Sequence, residues 1–311
     1  MYDLAIIGGG PAGVAAGVYA SRKKLKTIFI TDSFGGQSIV SDSIENWIGT
    51  PVISGAQLAK DLETHLRKYA EDIVDIKDSE RAEKISKESD SSSEKYFSVT
   101  TNKDSYNAKT VLITTGSHRR KLDVPGADKF EHKGVTYCAT CDGPMFTGQD
   151  VVVVGGGNAG FESAAQLLAY AKSVTLLHRS ESFRADPITV EAVLKDPKMT
   201  ALTNATPTEV HGETFVSGIS YKDVDGSVHK LDTGGIFVEI GAVPTTSYAQ
   251  DVVDLNDSHH VIIDPWTQRT SELGIWAAGD CTNGVYHQNN IAAGDAVKAL
   301  EDIYKYLKTG K

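Results

Sequence analysis

Residues 151–160 read Val-Val-Val-Val-Gly-Gly-Gly-Asn-Ala-Gly, an apolar run that leads into a Gly-x-Gly-x-x-Gly motif starting at Gly155. A short, continuous apolar run is typical of a parallel strand that is covered on both faces. A helix-compatible segment at 161–171 and another apolar run at 174–177 follow. This order predicts a βαβ unit whose glycines allow a tight turn, close approach to a pyrophosphate and close helix–strand packing.

The same pattern occurs near the N-terminus, where an apolar run at 4–7 leads into Gly-Gly-Gly-Pro-Ala-Gly at 8–13, followed by a helix-compatible segment at 14–21 and a strand at 27–31. The carboxylate expected about 20 residues on, to hold a ribose hydroxyl, is matched imperfectly, because Thr31 ends the strand and Asp32 follows it. One such motif is also compatible with a turn that binds no ligand. Two of them predict two nucleotide sites, as a flavoprotein reduced by a nicotinamide requires.

Arginines follow the second strand of the unit that starts at residue 151. His178, Arg179 and Arg184 occupy the region where an NAD site would show a carboxylate. A guanidinium there suits a ribose 2′-phosphate, which favours NADPH over NADH. The alternative is that both arginines are solvated surface residues.

A cysteine pair precedes this unit, in the segment Tyr-Cys-Ala-Thr-Cys-Asp-Gly-Pro at 137–144. The spacing of Cys138 and Cys141 lets their thiols form a disulfide, and in a reducing compartment such a pair is either catalytic or metal-binding. A structural zinc site needs four ligands, and the sequence has no second pair of this kind. A dithiol beside a dinucleotide motif therefore suggests electron transfer between a nucleotide cofactor and a disulfide.

Asp142, Cys281 and His287 are further residues whose chemistry could bear on function. Asp142 is placed to deliver or remove a proton during thiol–disulfide exchange. The alternative is a helix N-cap or first-turn acid, and the two roles are compatible. Cys281 is expected to be a small buried residue. His287 is expected to be a packing or surface residue rather than a catalytic base, although a proton-relay role stays open.

Composition excludes several classes of partner. The formal net charge of −10 argues against nucleic acid and against an anionic membrane, which call for a basic patch. No apolar run approaches the roughly 20 residues needed to cross a bilayer, and the N-terminus does not resemble a signal peptide. The three cysteines do not make a secreted disulfide framework, so we expect a cytoplasmic enzyme.

The order of the predicted elements indicates an α/β fold with two Rossmann-like, three-layer dinucleotide-binding domains, the second inserted into the first. The first domain is expected to comprise residues 1–117 and 245–311, and the second residues 118–244. An amphipathic helix is predicted at 55–70, and a final helix at 290–307.

The sequence closely resembles the low-molecular-weight thioredoxin reductases and the related flavoprotein component of alkyl hydroperoxide reductase, over essentially the whole chain. The shared segments are the two glycine motifs, the Cys-x-x-Cys-Asp segment and the following: Gly35-Gly36-Gln37, Glu45-Asn46-Trp47, Thr114-Thr115-Gly116, His178-Arg179 with Arg184, and Ala278-Gly279-Asp280. The resemblance implies a homodimer that binds FAD in the first domain and NADPH in the second, with no metal.

The resemblance also implies residue roles. The residues expected to bind FAD are Gly8, Gly10, Ala12, Gly13, Gln37, Asn46, Gly116, Gly279, Asp280 and Gln288. The residues expected to bind NADPH are Gly155, Gly157, Asn158, Gly160, His178, Arg179, Arg184 and Ile240. Cys141 is expected to lie against the isoalloxazine ring, and Cys138 to attack the disulfide of a thioredoxin-like protein.

Departures from the family pattern keep alternatives open. Ser180 stands where the family usually has a second arginine, so NADH remains possible as the donor. His287 stands where the thioredoxin reductases tend to have arginine, while Cys281 and Gly143-Pro144 look more like the hydroperoxide reductase relative. The acceptor could therefore be a glutaredoxin-like or peroxiredoxin-linked carrier. A sensor that binds flavin and nucleotide without turnover is a further alternative, which the intact Cys-x-x-Cys-Asp disfavours.

Overall fold

The computed structural model describes residues 1–41, 44–89 and 95–310. The helices are α1 (Pro11–Arg22), α2 (Gly55–Ala70), α3 (Ala139–Asp142), α4 (Asn158–Leu167), α5 (Pro187–Leu194) and α6 (Asn289–Thr309). The strands are β1 (Tyr2–Gly9), β2 (Thr27–Phe34), β3 (Val74–Lys77), β4 (Ala82–Ser89), β5 (Lys95–Thr101), β6 (Ser105–Ile113), β7 (Ser117–Arg119), β8 (Val135–Thr136), β9 (Asp150–Val154), β10 (Ser173–Leu177), β11 (Met199–Leu202), β12 (Thr206–Gly212), β13 (Val216–Lys222), β14 (Val228–Asp232), β15 (Gly235–Val238), β16 (Ala242–Pro244) and β17 (Ile275–Ala277).

The chain divides into two compact units. Unit 1 consists of Met1–His118 and Val243–Lys311, and unit 2 consists of Arg119–Ala242. Unit 2 is therefore inserted into unit 1 along the chain. Each unit contains parallel strands joined through helices, in agreement with the predicted α/β class.

Unit 1 is built on the parallel strands β3, β2, β1 and β6, in that spatial order, with β17 also parallel to β6. The side chains of β1 alternate between two cores, which explains its continuous apolar sequence. Leu4 and Ile6 pack into a cluster with residues of α1, α2 and α6. Ala5 and Ile7 pack into a second cluster on the other face.

The cluster on the second face of the unit 1 sheet contains no residue of the α-helices described here, and it includes residues of β4, of β5 and of the segment 248–253. β4 and β5 pair antiparallel, β5 continues antiparallel to β6, and Ile85 and Phe97 join the second cluster. Residues 87–95, rich in Ser, Asp and Glu, are expected from the sequence to form a solvated hairpin loop or tip. In the structure residues 87–89 end β4 and Lys95 begins β5, while residues 90–94 lie outside the described residues.

Unit 2 contains the parallel sheet β11–β10–β9–β15–β8. The chain runs from β9 through α4, β10 and α5 to β11 on one side, while β15 and β8 lie on the other side of β9. The strand order therefore reverses between β9 and β15, and ligands of such sheets bind outside the carboxyl ends of the strands at this point. Helices cover one face, and the antiparallel strands β12, β13 and β14 supply the opposite cluster.

The predicted helices are confirmed, with shifted ends for α1, α4 and α6. α2 has the predicted bounds, and its N-cap Ser54 accepts a hydrogen bond from the backbone N–H of Gln57 at 3.1 Å, a standard capping contact. α1 and α4 each begin three residues before the predicted start, because the third glycine of each motif already lies inside the helix. No helix among the described residues is long and apolar enough to cross a bilayer.

Candidate active site

The first glycine motif forms the turn between β1 and α1. Gly8 has φ +122°, and a Cβ there would lie 2.4 Å from the carbonyl oxygen of Thr114. A Cβ on Gly13 would lie 1.8 Å from the carbonyl oxygen of Gly8. Packing of the chain itself thus requires both glycines. Gly10 differs, because its φ is −77° and a Cβ would meet nothing closer than the Cα of Gly36 at 3.9 Å.

The second motif repeats this geometry between β9 and α4. Gly155 has φ +129°, and its Cβ would lie 2.2 Å from the carbonyl oxygen of Glu239. A Cβ on Gly160 would lie 1.9 Å from the carbonyl oxygen of Gly155. Gly157 has φ −94°, and a Cβ there would meet no atom within 4 Å.

The second glycine of each motif is therefore required neither by backbone conformation nor by contacts within the chain. Each is the N-cap of a helix, α1 or α4, and neither helix has a side-chain capping hydrogen bond. Free N–H groups at a helix N-terminus attract phosphate, and a missing Cβ lets the phosphate approach the backbone. The geometry thus fits a dinucleotide at each turn.

Several candidate flavin-binding residues from distant parts of unit 1 meet at the start of α6. The side-chain amide of Asn46 donates to Oε1 of Gln288 at 3.2 Å. Asn290 donates from Nδ2 to the carbonyl oxygen of Asn46 at 2.7 Å, and Ser38 Oγ donates to Oδ1 of Asn289 at 2.9 Å. The loop with Asn46 and the segment after β2 are thus both held against the first turn of the last helix.

The Gly-Gly-Gln segment lies beside the first glycine motif. The backbone N–H of Gly35 donates to the carbonyl oxygen of Gly9 at 2.9 Å, and the side-chain amide of Gln37 donates to the carbonyl oxygen of Ser117. Gly116 has φ +62° and open space where a Cβ would be. These contacts place Gln37 and Gly116 near the end of β6.

The Gly-Asp pair after β17, Gly279 and Asp280, also lies close to the glycine turn between β1 and α1. Gly279 has φ +78°, and its Cβ would lie 3.2 Å from that of Ala292 and 3.5 Å from that of Ala12. A larger residue would separate α1 and α6. Asp280 is half-buried and forms no hydrogen bond or ion pair with the described residues, so its carboxylate can accept hydrogen bonds from a ligand.

Thr31 and Asp32 differ at the end of the first βαβ unit. Thr31 is buried and its Oγ1 donates to the carbonyl oxygen of Ser33 at 2.6 Å, whereas Asp32 is exposed. Asp32 is therefore the carboxylate at this edge that is accessible to solvent.

In unit 2, the loop after β10 is fixed to the second glycine turn. The ring of His178 is buried, its Nε2–H donates to the carbonyl oxygen of Ser182 at 2.8 Å, and a Cβ on Gly156 would lie 2.6 Å from its Cγ. The backbone N–H of Arg184 donates to the carbonyl oxygen of Gly156 at 2.8 Å, and that of Asp186 to Oδ1 of Asn158 at 2.8 Å. His178 and Asn158 therefore hold this loop in place.

The same loop presents the two predicted arginines. Arg179 and Arg184 are exposed, and their guanidinium groups form no ion pair or hydrogen bond within residues 1–41, 44–89 and 95–310. Two unpaired cations beside a phosphate-binding turn are available for a further anionic group. Ile240 follows β15 at the opposite side of the turn and is partly exposed.

A buried carboxylate, Glu239, also lies at this edge, and the sequence interpretation did not include it. Its Oε1 accepts a hydrogen bond from Ser163 of α4 at 2.7 Å, and its Oε2 lies 3.4 Å from Nη1 of Arg119. Burial raises the pKa of Glu239, and the Arg119 charge and the Ser163 hydroxyl oppose this shift. The only sequence signal was an acidic residue in an otherwise apolar strand.

The cysteine pair follows β8, the strand at one side of this sheet. Cys138 and Cys141 form a disulfide with their Cα atoms 5.3 Å apart. Cys138 is the N-cap of α3, and its Sγ accepts a hydrogen bond from the backbone N–H of Cys141 at 3.2 Å. Asp142 ends α3, and one of its carboxylate oxygens accepts a hydrogen bond from Thr136 Oγ1. No group of three or more His, Cys, Asp or Glu residues able to hold a metal occurs in the described parts of the chain.

Comparison with known proteins places these features in one family. The model of the pyridine nucleotide-disulphide oxidoreductases matches residues 2–296. The chain belongs to this family. Membership makes it an oxidoreductase that uses a flavin and a pyridine nucleotide, and it agrees with the two nucleotide-binding folds found here.

Solved structures similar to this oxidoreductase include two thioredoxin reductases. The enzyme from Streptococcus pyogenes is 36% identical with a TM-score of 0.89, and the enzyme from Giardia duodenalis is 31% identical with a TM-score of 0.89. In both comparisons 99% of each chain is covered. The predicted resemblance and fold class are thereby confirmed.

Curated relatives of the oxidoreductase carry other names. One component of the alkyl hydroperoxide reductase of Escherichia coli is 37% identical over 308 residues, and a Bacillus subtilis protein named NADH dehydrogenase is 36% identical over 307 residues. Each comparison covers 98% of this chain but 58% of the relative.

Cys281 and His287 of the oxidoreductase both lie in unit 1. Cys281 is fully buried, and burial raises its pKa to about 12, which is far from the range in which a thiol attacks a disulfide. The ring of His287 lies 6.0 Å from that of His260, and its Nε2 is buried without a partner among the described residues. Burial and the neighbouring His287 lower the pKa of His260.

Proposed function

We propose that the protein is a thioredoxin-disulfide reductase, which passes electrons from NADPH through FAD and the Cys138/Cys141 dithiol to the disulfide of a thioredoxin-like protein. The observation that carries this proposal is the Cys138–Cys141 disulfide in a chain that matches thioredoxin reductases end to end. The two glycine turns support the same proposal, since an electron path from NADPH through FAD needs two dinucleotides.

We assign FAD to residues 1–117 and 245–311, and NADPH to residues 118–244. FAD would be held by Gly8, Gly10, Ala12, Gly13, Gln37, Asn46, Gly116, Gly279, Asp280 and Gln288. NADPH would be held by Gly155, Gly157, Asn158, Gly160, His178, Arg179, Arg184 and Ile240. FAD supplies a two-electron carrier between nicotinamide and disulfide, which no side chain provides.

The residues of the chain then perform the exchange with the carrier. The Asp142 carboxylate takes the proton of the Cys138 thiol, and the resulting thiolate attacks one sulfur of the carrier disulfide, forming a mixed disulfide. The released carrier sulfur takes that proton from Asp142. Asp142 next takes the proton of Cys141, whose thiolate attacks Sγ of Cys138 and expels the second carrier sulfur, which is protonated in turn. Two electrons and two protons have then moved to the carrier.

Cys138 is the better candidate for the attacking thiol. The backbone N–H of Cys141 points at its sulfur at 3.2 Å, and a donor at this position favours the thiolate over the thiol. Asp142 N–H also donates to the carbonyl oxygen of Cys138 at 3.0 Å, which keeps the carboxylate-bearing residue on the same turn as both sulfurs.

We propose NADPH as the donor because the loop fixed to the second glycine turn carries Arg179 and Arg184, which are exposed and whose guanidinium groups have no partner among the described residues. They fit a 2′-phosphate, which NADH lacks. Ser180 in place of a further arginine reduces the positive charge, so the preference is expected to be moderate.

The setting follows from the family resemblance and the charge. We propose a cytoplasmic homodimer, since a redox-active Cys-x-x-Cys is characteristic of reducing compartments. The formal charge of −10 disfavours binding to nucleic acid or to an anionic membrane.

A steady-state assay tests the proposal. The FAD-loaded protein is mixed with oxidised thioredoxin and either NADPH or NADH, and nicotinamide oxidation is followed. We expect turnover with NADPH that Cys138→Ser abolishes, while the variant retains its flavin. If no thioredoxin supports turnover, the proposed acceptor is wrong.

A second candidate function is favoured by the curated relatives. Their similarity to alkyl hydroperoxide reductase, at 37% identity for the Escherichia coli protein, supports a glutaredoxin-like or peroxiredoxin-linked carrier as the acceptor. The same assay with oxidised carriers of these classes separates the two functions by the ratio of kcat/KM values.

A further inference from the structure

We propose that Thr136 is a positioning residue of the redox centre, whose hydroxyl orients the Asp142 carboxylate and keeps it ionised until it takes a proton from a thiol. This inference rests on the proposed function of Asp142 as the proton carrier. Its basis is the hydrogen bond from Thr136 Oγ1 to Oδ2 of Asp142.

The fold determines where this hydroxyl lies. Thr136 is the last residue of β8, where it pairs in parallel with Phe237 of β15, and it is 7% exposed. Side chains alternate along a strand, and the preceding Val135 packs in the cluster on one face of the sheet. Thr136 therefore points to the opposite face, where Ala139 of α3 packs in the same cluster as Phe237.

The contact connects the start and the end of the cysteine-containing segment. Thr136 precedes Cys138 by two residues, and Asp142 directly follows Cys141. The backbone of Asp142 is held by its N–H bond to the carbonyl oxygen of Cys138, and its carboxylate is held by Thr136. Both parts of the acid are thus fixed relative to the two sulfurs.

A buried threonine is well suited to this role. Its β-branched side chain has few χ1 rotamers, and burial limits competition from water for the hydroxyl. A donor to a carboxylate favours the ionised form and lowers the pKa of the acid. Removal of the hydroxyl should therefore make the Asp142 carboxylate harder to ionise and take away one of the contacts that orient it.

The experiment measures thiol–disulfide exchange without nicotinamide. FAD-loaded enzyme is reduced with dithiothreitol, desalted and mixed with 5,5′-dithiobis(2-nitrobenzoate), and the rate is recorded as a function of pH. Alkylation of the same dithiol by iodoacetamide gives a second readout that needs no turnover. The variants are Thr136→Val, which removes only the hydroxyl, and Thr136→Ser, which retains it.

Thr101→Val is the matched control. Thr101 is a buried threonine of unit 1 whose Oγ1 donates to Oε2 of Glu80 at 3.0 Å. Its Oγ1 also accepts hydrogen bonds from the backbone N–H groups of Lys103 and Asp104, so this variant loses a hydroxyl–carboxylate bond, and these two bonds with it, outside the redox centre. A merely structural role of Thr136 would lower stability, as in Thr101→Val, and leave the pH profile unchanged.

We expect Thr136→Val to move the acidic limb of the exchange profile upward by about one pH unit, the size of one hydrogen bond to a charged group. The rate below that limb should fall about tenfold. Thr136→Ser and Thr101→Val should match the wild type. In an Asp142→Asn background, Thr136→Val should cause no further shift. That background already lacks the carboxylate whose interaction with Thr136 is being measured, as in a double-mutant cycle.

Superimposable profiles for Thr136→Val and the wild type would refute the role of Thr136, as would a Thr136→Ser profile shifted like that of Thr136→Val. If Thr136→Val does not fold, the comparison of Thr136→Ser with Thr136→Ala in the alkylation assay decides in the same way. Failure to reduce any thioredoxin would instead refute the proposed acceptor and would leave these profiles unaffected, since the small disulfide replaces the carrier.

Discussion

Glu239 shows how a single buried charge can make stability depend on pH. Because burial raises its pKa in the folded state, its favourable contribution is fully present below the ordinary glutamate pKa and is lost as the pH rises through the folded value. Arg119 and Ser163 reduce this loss but do not cancel it.

Glu239→Gln removes the titration and retains an acceptor for Ser163. We therefore expect the free energy of unfolding of the variant, relative to the wild type, to increase as the pH rises from about 4.5 to about 8. Urea denaturation at several pH values measures this difference. Arg119→Met should act in the opposite direction, and parallel curves for Glu239→Gln and the wild type would contradict the assignment.

Arg179 and Arg184 determine the donor in this account. Arg179→Ala or Arg184→Ala should raise the KM for NADPH about tenfold, the size expected for one charged hydrogen bond. The KM for NADH should stay constant, since NADH has no 2′-phosphate. Arg81→Ala, an exposed arginine of unit 1 paired with Glu83, is the control. An equal loss for both nucleotides would show that the arginines do not read the phosphate.

At the scale of elements, each glycine turn combines structural glycines with one glycine that serves a ligand. Gly157→Ala should change stability by no more than about 1 kcal/mol, since the backbone is compatible with alanine and the space is free, while alanine is the poorer N-cap residue. The same variant should weaken NADPH binding more than tenfold, because the methyl group occupies the path of the pyrophosphate.

Gly160→Ala is the matched control within the same motif. Its methyl group would lie 1.9 Å from the carbonyl oxygen of Gly155, so we expect a clear loss of stability. Thermal unfolding and equilibrium binding of NADP⁺ separate the two effects. Normal NADP⁺ affinity in Gly157→Ala would show that this turn does not bind the nucleotide.

The sequence allowed prediction of the elements that depend on local patterns. Apolar runs and glycine spacing predicted β1, β9 and the two helix-initiating turns, and apolar periodicity predicted α2. The helix starts were predicted three residues late, because a glycine was interpreted as turn although it lies inside the first helical turn.

Contacts between distant segments were not predictable in the same way. The Thr136–Asp142 bond depends on how α3 packs on the sheet, and the Glu239 cluster depends on a helix, a strand and the first residue of unit 2. The Asn46–Gln288 contact joins residues 242 positions apart. The family resemblance suggested both residues as ligand contacts, but their pairing follows only from the tertiary structure.

At the scale of the whole molecule, the two glycine turns belong to units with separate hydrophobic clusters. Damage to one nucleotide site should therefore leave the other intact. Gly10→Ala should weaken FAD binding, while binding of 2′,5′-ADP, measured by calorimetry, stays within about twofold of the wild type. Loss of both ligands in Gly10→Ala would contradict independent sites.

The central claim is that electrons move from the nicotinamide through the flavin to the sulfurs of Cys138 and Cys141. An anaerobic titration of the FAD-loaded protein with NADPH, with absorbance of the flavin and mass-spectrometric counting of alkylated cysteines, tests it most directly. We predict that two equivalents are consumed and that both cysteines become alkylated. Full bleaching of the flavin by one equivalent, with the Cys138–Cys141 disulfide still intact under excess NADPH, would contradict the account.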